Sequence, residues 1–368
     1  MIGARLKAII VKELWAILRD PRARITLIVP PLLQLFLFGF ASTLEVTNIR
    51  VGVLDYDGGV WSHEVVARVA GSPNVAEVVP LASDADLRRA IDRRQVIAAL
   101  RFDSRFSADV ETGRGAVIGA VYDGRRSNAA QIVSGYVERI AGEGGTEVAG
   151  SRAGIAGGSA VTHWFNPNLD YLWFVMPALI AIIAAVSSLA AVSQSVAREH
   201  ELGTFDQLMV SPLRIHEILV GKMVPPVLIG LLNVTLFVVL VPTVFGVPLT
   251  GSLVSFYIAL VFYLLALTGI GMLISTLSAT QQQAFLGMFL ATVPLTILSG
   301  YASPVDNMPG WLRIIAHANP PTWFLTISEG VFLKGMPAAE VFANTWPLVL
   351  IAAGTITAAA LLFRSRME

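Results

Sequence analysis

Two aspartates at the end of an apolar run are the clearest candidate for a catalytic pair in this sequence. Asp55 and Asp57 follow Val53-Leu54, and at this spacing one carboxylate can attack phosphorus while the other transfers protons. Such chemistry also requires Mg²⁺ and a lysine, and residues 45–168, which contain the pair, include no lysine. The pair is better explained as a strand that ends in an Asp-Gly turn.

Other reactive arrangements are excluded by what the sequence lacks. The chain has no cysteine, and its five histidines do not form a pair at metal-ligand spacing, so we predict no metal site. Gly221-Lys222 is followed by Met223, and the glycine that a P-loop requires upstream is missing. The sequence therefore predicts that this chain does not bind ATP through a P-loop.

The distribution of charge indicates a membrane protein with one water-exposed insert. The 26 basic and 26 acidic residues cancel, but 28 of these charges lie in residues 45–168 and none lies in residues 223–305. Charged residues make up 14% of the chain, against about 25% in soluble domains. This pattern excludes a soluble enzyme, a disordered protein and a nucleic-acid-binding protein.

Six apolar stretches are long enough to cross a bilayer as helices, which takes about 20 residues. They are residues 25–44, 171–197, 224–245, 253–277, 284–302 and 345–363. The first stretch is longer than the apolar region of a signal peptide, so we predict a retained anchor. The predicted fold class is an α-helical polytopic membrane protein with six transmembrane helices and an inserted external α/β domain.

The bias of lysine and arginine in short loops predicts the orientation. Six basic residues precede the first span and three lie in residues 198–222, whereas two lie in residues 303–344. Both termini are therefore predicted in the cytoplasm and residues 45–168 outside the cell. Residues 1–24 are predicted to form an amphipathic helix in the interface plane, either a simple anchor or a lever between a cytoplasmic partner and the first span.

Residues 45–168 alternate strand-like and helix-like segments, which indicates βαβ units. The predicted strands are residues 50–54, 75–79, 96–102 and 117–122, and the predicted helices are residues 61–70, 84–93 and 129–141. The remaining part, residues 169–368, holds five spans with a cytoplasmic segment at 198–222 and an external re-entrant segment at 303–342.

The cytoplasmic segment combines an apolar stripe with a sharp helix restart. Phe205, Leu208 and Met209 form the stripe, and Ser211-Pro212 is a favourable start for a second short helix. Such a segment suits docking into a groove on a cytoplasmic partner. In the external segment, prolines and glycines interrupt the apolar sequence, which predicts short re-entrant or interfacial helices.

Both segments resemble those of the membrane subunit of ABC exporters of the type-2 transporter family. The cytoplasmic match comprises Glu199, Glu201, Gly203, Thr204, Leu208, Ser211, Pro212, Leu213, Glu217, Ile218, Gly221 and Lys222. The external match comprises Ser299, Gly300, Pro304, Met308, Pro309, Trp311, Leu312, Asn319 and Pro320. Phe332–Gly335 and Trp164-Phe165-Asn166-Pro167 also match, whereas Glu329 stands where the family often has arginine.

The resemblance implies a complex in a bacterial inner membrane. Two permease subunits, identical or different, would form the pathway, and each would contact a cytoplasmic ABC ATPase subunit that binds ATP and Mg²⁺. This chain would be a transport subunit that is not itself an enzyme and holds no cofactor. Membrane lipid and a periplasmic adaptor are its further expected partners. The residues expected to dock the ATPase are Glu199, Glu201, Gly203, Thr204, Phe205, Leu208, Met209, Ser211, Pro212, Glu217, Gly221 and Lys222. The external match would form an outer gate.

The interior of the spans offers neutral polar side chains rather than charges, which favours export of a hydrophobic or amphipathic compound, drug-like or lipid-like. The candidate pathway residues are Gln34, Asn233, Thr268 and Thr296. Their alternative role is hydrogen bonding between helices. Two other functions stay open at this point, a membrane receptor or scaffold with an external sensing domain and an ion-driven secondary transporter.

Overall fold

The structure, a computed structural model, describes residues 2–41, 49–93, 95–112, 116–123, 133–136, 170–203 and 214–367. The chain divides into two compact units. Residues 1–42 and 163–368 form a helical unit, and residues 43–162 form an α/β unit.

The elements follow one another in this order along the chain. They are α1 (Ile2–Arg19), α2 (Pro21–Ala41), β1 (Ile49–Asp55), α3 (Val60–Ala70), β2 (Val75–Pro80), α4 (Asp84–Asp92), β3 (Ala98–Phe102), α5 (Phe106–Thr112), β4 (Ile118–Tyr122), α6 (Tyr171–Glu201), α7 (Ile215–Phe245), α8 (Leu253–Leu277), α9 (Gln281–Ile297), α10 (Gly310–His317), α11 (Pro320–Glu329) and α12 (Ala338–Met367). A 3₁₀ turn at Val305–Asn307 precedes α10, and a π-helical turn at Gly330–Lys334 follows α11.

A four-stranded sheet forms the centre of the α/β unit. Its strand order is β2-β1-β3-β4, with β1 parallel to both neighbours and β4 antiparallel to β3. Strand β1 is buried on both faces, because Val51 and Val53 pack with residues of α3 and α5 while Leu54 packs on Leu87 of α4. The observed strands coincide with the four predicted ones, and of the predicted helix 129–141 only residues 133–136 are described. The external location of this unit stays a prediction.

Asp55 and Asp57 serve the turn that follows β1. Asp55 Oδ1 accepts hydrogen bonds from the backbone N–H groups of Asp57 at 2.9 Å and Gly58 at 3.0 Å, and Gly58 has φ +57°. Asp57 accepts hydrogen bonds from the hydroxyl and the backbone N–H of Ser107, and the hydroxyl contact is the main cause that lowers the pKa of Asp57. These bonds agree with the interpretation of the pair as a strand end and an Asp-Gly turn.

The helical unit contains four helices that are long and apolar enough to cross a membrane, within the described residues. They are α6, α7, α8 and the stretch Ala338–Ser365 of α12, and α1 with α2 would make a fifth span if this pair, bent by 70°, counts as one. The predicted span 284–302 corresponds to α9, which has 17 residues and ends at Ile297. The protein is thus mostly helical with four to five candidate spans, and a total of six stays a prediction.

The boundary between α1 and α2 lies earlier than the predicted division at residue 24. Helix α1 ends at Arg19 and α2 begins at Pro21, because proline is favoured in the first turn of a helix, where its missing N–H costs no hydrogen bond. Helix α2 continues through Pro30-Pro31. These prolines leave the carbonyls of Thr26 and Leu27 without their regular helical donors.

Helix α6 forms the centre of the helical unit, with most of its residues buried between Val175 and Ala197. Hydrogen bonds from its neighbours reach its backbone: Tyr263 Oη donates to the carbonyl of Ala181 at 2.7 Å, and Ser328 Oγ donates to the carbonyl of Pro177 at 2.7 Å. The ring of Tyr263 stacks on Phe324 with centroids 4.3 Å apart. Helices α8 and α11 are therefore fixed to α6 by hydrogen bonds and to each other by an aromatic contact.

Candidate functional site

Helix α1 lies directly against the first turns of helix α7. A Cβ atom at position 221, which is glycine, would collide with Ile9 Cγ2 and would lie 3.0 Å from Ile9 Cβ. Ile9 also packs against an apolar cluster that includes Ile218, Met223 and Phe363. The predicted docking residue Gly221 is thus the point where the backbone of α7 approaches α1, which explains the need for a residue without a side chain.

Lys222, the last residue of the predicted docking segment, lies in a cluster of four charges. Its side chain is 2% exposed, and its Nζ lies 2.8 Å from Glu199 Oε1 and 3.6 Å from Glu13 Oε1. Lys12 Nζ lies 3.6 Å from Glu13 Oε1 and 3.8 Å from Glu199 Oε1, but the Lys12 side chain is 61% exposed. Because an unpaired buried ammonium would lose its hydration without compensation, Glu199 and Glu13 stabilise Lys222. We call Lys12, Glu13, Glu199 and Lys222 the charged cluster; it joins α1, α6 and α7.

Glu217 is buried and supports the start of its own helix. Its Oε2 accepts a hydrogen bond from the backbone N–H of Arg214 at 2.9 Å, and the carbonyl of Arg214 accepts one from the N–H of Glu217 at 2.9 Å. A glutamate at the third position of a helix commonly satisfies an N-terminal donor in this way. Only 2% of Glu217 is exposed. Its expected role in docking the ATPase stays a prediction.

Glu201 connects the end of α6 to the start of α9. Its Oε2 accepts hydrogen bonds from the backbone N–H of Gln281 at 2.9 Å and from Gln281 Nε2 at 3.1 Å. Gly203 follows with φ +67°, the left-handed conformation that commonly ends a helix and that glycine adopts at little cost. The chain thus leaves α6 at a defined point before the rest of the docking segment.

The other predicted docking residues lie outside the described part of the chain. They are Thr204, Phe205, Leu208, Met209, Ser211 and Pro212. The described flanks, residues 198–203 and 214–222, are joined by the ion pair of Lys222 with Glu199.

A cavity of about 950 Å³ adjoins the charged cluster and extends between α1, α2, α6 and α7. All four members of the charged cluster line it, and so does Gln34, one of the predicted pathway residues. Two proline pairs, Pro30-Pro31 of α2 and Pro225-Pro226 of α7, provide part of its apolar wall. The volume lies within the range of small-molecule sites in proteins.

The three other predicted pathway residues make hydrogen bonds within the helical unit. Asn233 Nδ2 donates to the carbonyl of Leu27 at 3.0 Å, which compensates for the donor that Pro31 cannot provide. Thr268 Oγ1 donates to the carbonyl of Leu264 at 2.6 Å, and Thr296 Oγ1 donates to that of Thr292 at 2.9 Å. These contacts favour the alternative role in hydrogen bonding within and between helices. Of the four predicted pathway residues, Gln34 lines the cavity.

The predicted outer-gate segment is attached to the end of helix α9. Asn319 Nδ2 donates to the carbonyl of Leu295 at 2.8 Å, and Thr322 Oγ1 donates to that of Leu298 at 3.2 Å. The last carbonyls of a helix have no partner within it, so these side chains cap α9. The start of α11 is thereby fixed to α9.

The remaining predicted gate residues shape the turns between α9 and α11. Ser299 is buried and its Oγ donates to the carbonyl of Thr296 at 2.7 Å, and Gly300 follows with φ +94°. The others start short helices or anchor them. Pro304 precedes the 3₁₀ turn, Pro309 precedes α10, Pro320 begins α11, Met308 is buried, and Trp311 is 67% exposed.

Glu329 closes helix α11 in a half-buried position. Its removal from water raises the pKa of this carboxyl, and the charge of Lys334 lowers it to a smaller extent. The π-helical turn that follows α11 is fixed to the loop between α7 and α8. The N–H of Thr250 donates to the carbonyl of Phe332 at 3.2 Å, and the N–H of Gly251 donates to that of Val331 at 2.8 Å.

Sequence reasoning missed Glu13 and Lys12 as members of the site. The pattern of α1 placed both on the polar side of an amphipathic helix, which predicts contact with solvent. Their position in the charged cluster depends on the contact of α1 with α7, more than 200 residues further along the chain. The one signal in the sequence was the glycine at position 221, which permits such a close approach.

Comparison with known proteins identifies the family of the chain. The family model described as ABC-2 family transporter protein matches residues 22–361. The chain is 40% identical to the "Probable multidrug ABC transporter permease YbhR" of Escherichia coli strain K12, over 99% of each chain. It is 30% identical to the "Inner membrane transport permease YhhJ" of the same strain, over 96% of this chain and 95% of the relative.

A further relative in that strain is the "Probable multidrug ABC transporter permease YbhS", with 28% identity over 96% of this chain and 94% of the relative. The family model covers the candidate spans except the first part of the bent pair and the last four residues of the stretch Ala338–Ser365. The match to YbhR extends over nearly the full chain. The protein belongs to the ABC-2 transporter family and is a permease subunit of an ABC exporter, which does not itself catalyse a reaction.

Proposed function

We propose that this permease exports hydrophobic or amphipathic compounds, drug-like or lipid-like, and that residues 198–222 couple it to a separate ATPase subunit. The complex would contain two permease subunits, identical or different, and two ATPase subunits that bind ATP and Mg²⁺. It would lie in a bacterial inner membrane with both termini in the cytoplasm. Residues 45–168 would lie outside, accessible to a periplasmic adaptor.

The observation that carries the coupling proposal is the ion pair of Lys222 with Glu199. These residues flank residues 204–213, and Glu13 attaches α1 to the same pair. A displacement of the segment by a partner would therefore be transmitted to α1, α6 and α7 together, because a buried charge resists separation from its partner. This supports the role of α1 as a lever rather than a simple anchor.

The proposed substrate class is supported by the charge of the spans and by the relatives. Residues 223–305 contain no charged residue, and strongly charged solutes usually require ionisable groups on their path. Two of the relatives carry the word multidrug in their names, which is consistent with a permissive apolar path.

The test of this function is purification of the permease with its partner subunits and reconstitution into lipid vesicles. ATP should drive transport of an amphipathic dye, and vanadate should stop it. In the same complex, Leu208→Asp or Glu201→Ala should leave membrane insertion and ATP hydrolysis intact but reduce transport at least tenfold. Glu340→Gln, a change at an exposed position of α12, serves as the control and should transport normally.

Two results would contradict the proposal. Transport that is indifferent to ATP and vanadate would exclude ATP-driven export. Unchanged transport in both Leu208→Asp and Glu201→Ala would exclude coupling through residues 198–222.

A further inference from the structure

The regular hydrogen bonds of helix α6 meet a competing acceptor one turn before the helix ends. Ser275 Oγ of α8 accepts hydrogen bonds from the backbone N–H of Val196 at 2.8 Å and from that of Ala197 at 3.1 Å. In an uninterrupted helix these N–H groups donate to the carbonyls four residues earlier. Because each N–H carries one hydrogen, the bonds to Ser275 weaken the regular ones. We call residues 192–197 the hinge turn.

A glycine on α8 allows the hydroxyl to reach the backbone of α6. Gly271 lies one turn before Ser275, and a Cβ atom at position 271 would lie 2.9 Å from Val192 Cβ. Two small residues four positions apart let two helices approach each other closely. Ser275, Val192, Val196 and Ala197 are fully buried, so solvent does not compete with Ser275 for these N–H groups.

The hinge turn separates two parts of α6 that have different attachments. Before it, hydrogen bonds from Tyr263 and Ser328 fix the helix to α8 and α11. After it, Glu199 forms the ion pair with Lys222 of α7, and Glu201 is bonded by the start of α9. Sharp bends in helices occur where a side chain enters the hydrogen-bond pattern. The end of α6 can therefore bend at the hinge turn while the contacts on both sides of it are kept.

A bend at the hinge turn would change the cavity, because this turn forms part of the cavity wall. Gln194 and Ser195 of the hinge turn line the cavity, and so do Arg198 and Glu199 directly after it. Ala190, which precedes the hinge turn, lines the cavity as well. The wall that α6 contributes thus consists of a part that stays in place and a part that would move with the end of the helix.

We propose that Ser275 is the positioning residue of a hinge in α6, through which a displacement of residues 198–203 changes the width of the cavity. A bend moves N–H groups away from their regular carbonyls, and an unsatisfied buried N–H is costly. Ser275 lowers this cost, because its hydroxyl satisfies the N–H groups of Val196 and Ala197. The inference rests on the proposed coupling through residues 198–222 and adds the point at which the motion is converted.

The hinge is tested first in the full-length permease alone, in lipid nanodiscs and without ATP. The chain contains no cysteine, so spin labels on Leu202→Cys and Leu361→Cys, both at exposed positions, report the distance from the end of α6 to α12. Ser275→Ala removes the competing acceptor and restores the regular bonds of α6, so the distribution of this distance should become narrower. Loss of a contact that only stabilised the helix pair would make it broader.

A matched control for this measurement lies next to Ser275 on the same helix. Thr276 is also buried, and its hydroxyl bonds the carbonyl of Met272 in its own helix at 2.8 Å. Thr276→Val therefore removes a buried hydroxyl from α8 without affecting the backbone of α6. The distance distribution in this variant should equal that of the labelled protein without further changes.

The same variants then test coupling in the complex with the ATPase subunits, reconstituted without labels. Ser275→Ala should hydrolyse ATP normally but lose most of its transport, and Thr276→Val should transport normally. Ser193→Gly, added to Ser275→Ala, places a flexible residue in the hinge turn and should restore transport. A residue that only stabilised the helix pair would not be rescued by a second change that weakens α6.

The outcomes distinguish this inference from the proposed function. An unchanged or broader distance distribution in Ser275→Ala would overturn the hinge, and normal transport in Ser275→Ala would overturn its part in coupling. If the distribution narrows as expected but ATP drives no transport even in the unmodified complex, the hinge is supported and the proposed function is the part that fails.

Discussion

The side chain of Ile9 in helix α1 occupies the space that a side chain at position 221 of helix α7, which is glycine, would need. Gly221→Ala should therefore destabilise the permease by about 1–3 kcal/mol, because a β-branched isoleucine cannot move aside as the end of a flexible chain would. Thermal unfolding in detergent, followed by intrinsic fluorescence, measures this.

The double variant Ile9→Ala with Gly221→Ala is the matched control for that prediction. Its smaller side chain at position 9 gives the new methyl group space, so the double variant should be more stable than the sum of the two single changes. Strictly additive effects would show that the two residues are not in contact.

Lys222→Met should be more harmful than Lys12→Met, although both lysines belong to the charged cluster. Loss of the ammonium removes the buried partner of Glu13 and Glu199 and should cost about 3–5 kcal/mol. The exposed Lys12 should contribute less than about 1 kcal/mol. Addition of Glu199→Gln to Lys222→Met should recover part of the stability, and equal effects of the two lysine changes would contradict the burial of Lys222.

Asn233→Leu should loosen the attachment of α2 to α7. It removes the donor to the carbonyl of Leu27, and an unsatisfied buried carbonyl costs about 1–3 kcal/mol. Hydrogen exchange of α2 in nanodiscs should rise. Thr243→Val on the same helix, whose hydroxyl bonds the carbonyl of Val239 in its own helix, should leave the exchange of α2 unchanged.

Glu329→Gln should stabilise the permease at neutral pH and have little effect near pH 4. Burial raises the pKa of Glu329, so the folded protein binds more protons than the unfolded chain above the ordinary glutamate pKa. Stability must then fall as pH rises through that window. Unfolding temperatures measured from pH 4 to pH 8 should differ between the variant and the unmodified protein only in the upper part of the range.

Local sequence patterns predicted the elements but not the contacts between distant ones. The strands of the α/β unit and the long apolar helices follow from alternation and hydropathy, which act within a few residues. The end of α9 at Ile297 depends instead on the turn at Ser299-Gly300 and on Asn319, which caps α9 from a later helix. A hydropathy pattern continues through that turn, and for this reason the predicted span was too long.

In the candidate site, too, the sequence identified individual residues but not the contacts between distant ones. Gly221 and Lys222 were recognised by their positions in a family pattern. Glu217 was assigned to docking from the same pattern, which stays a prediction, and the pattern gave no sign that its carboxylate caps its own helix. The position of Glu13 beside Lys222 could not be derived, because residues separated by 209 positions carry no local sign that they meet. Pro31 indicated that a carbonyl in α2 lacked a donor, but not that Asn233 would provide it.

The loop between α7 and α8 has a consequence for the order in which the protein is assembled during synthesis. Residues 246–252 contain no charge, so the two helices can enter the bilayer as a hairpin without moving a charged residue through it. The partners of Thr250 and Gly251 are the carbonyls of Phe332 and Val331, which the ribosome makes about 80 residues later. The hairpin can therefore be made before this contact forms, and a chain that stops before residue 330 would lack it.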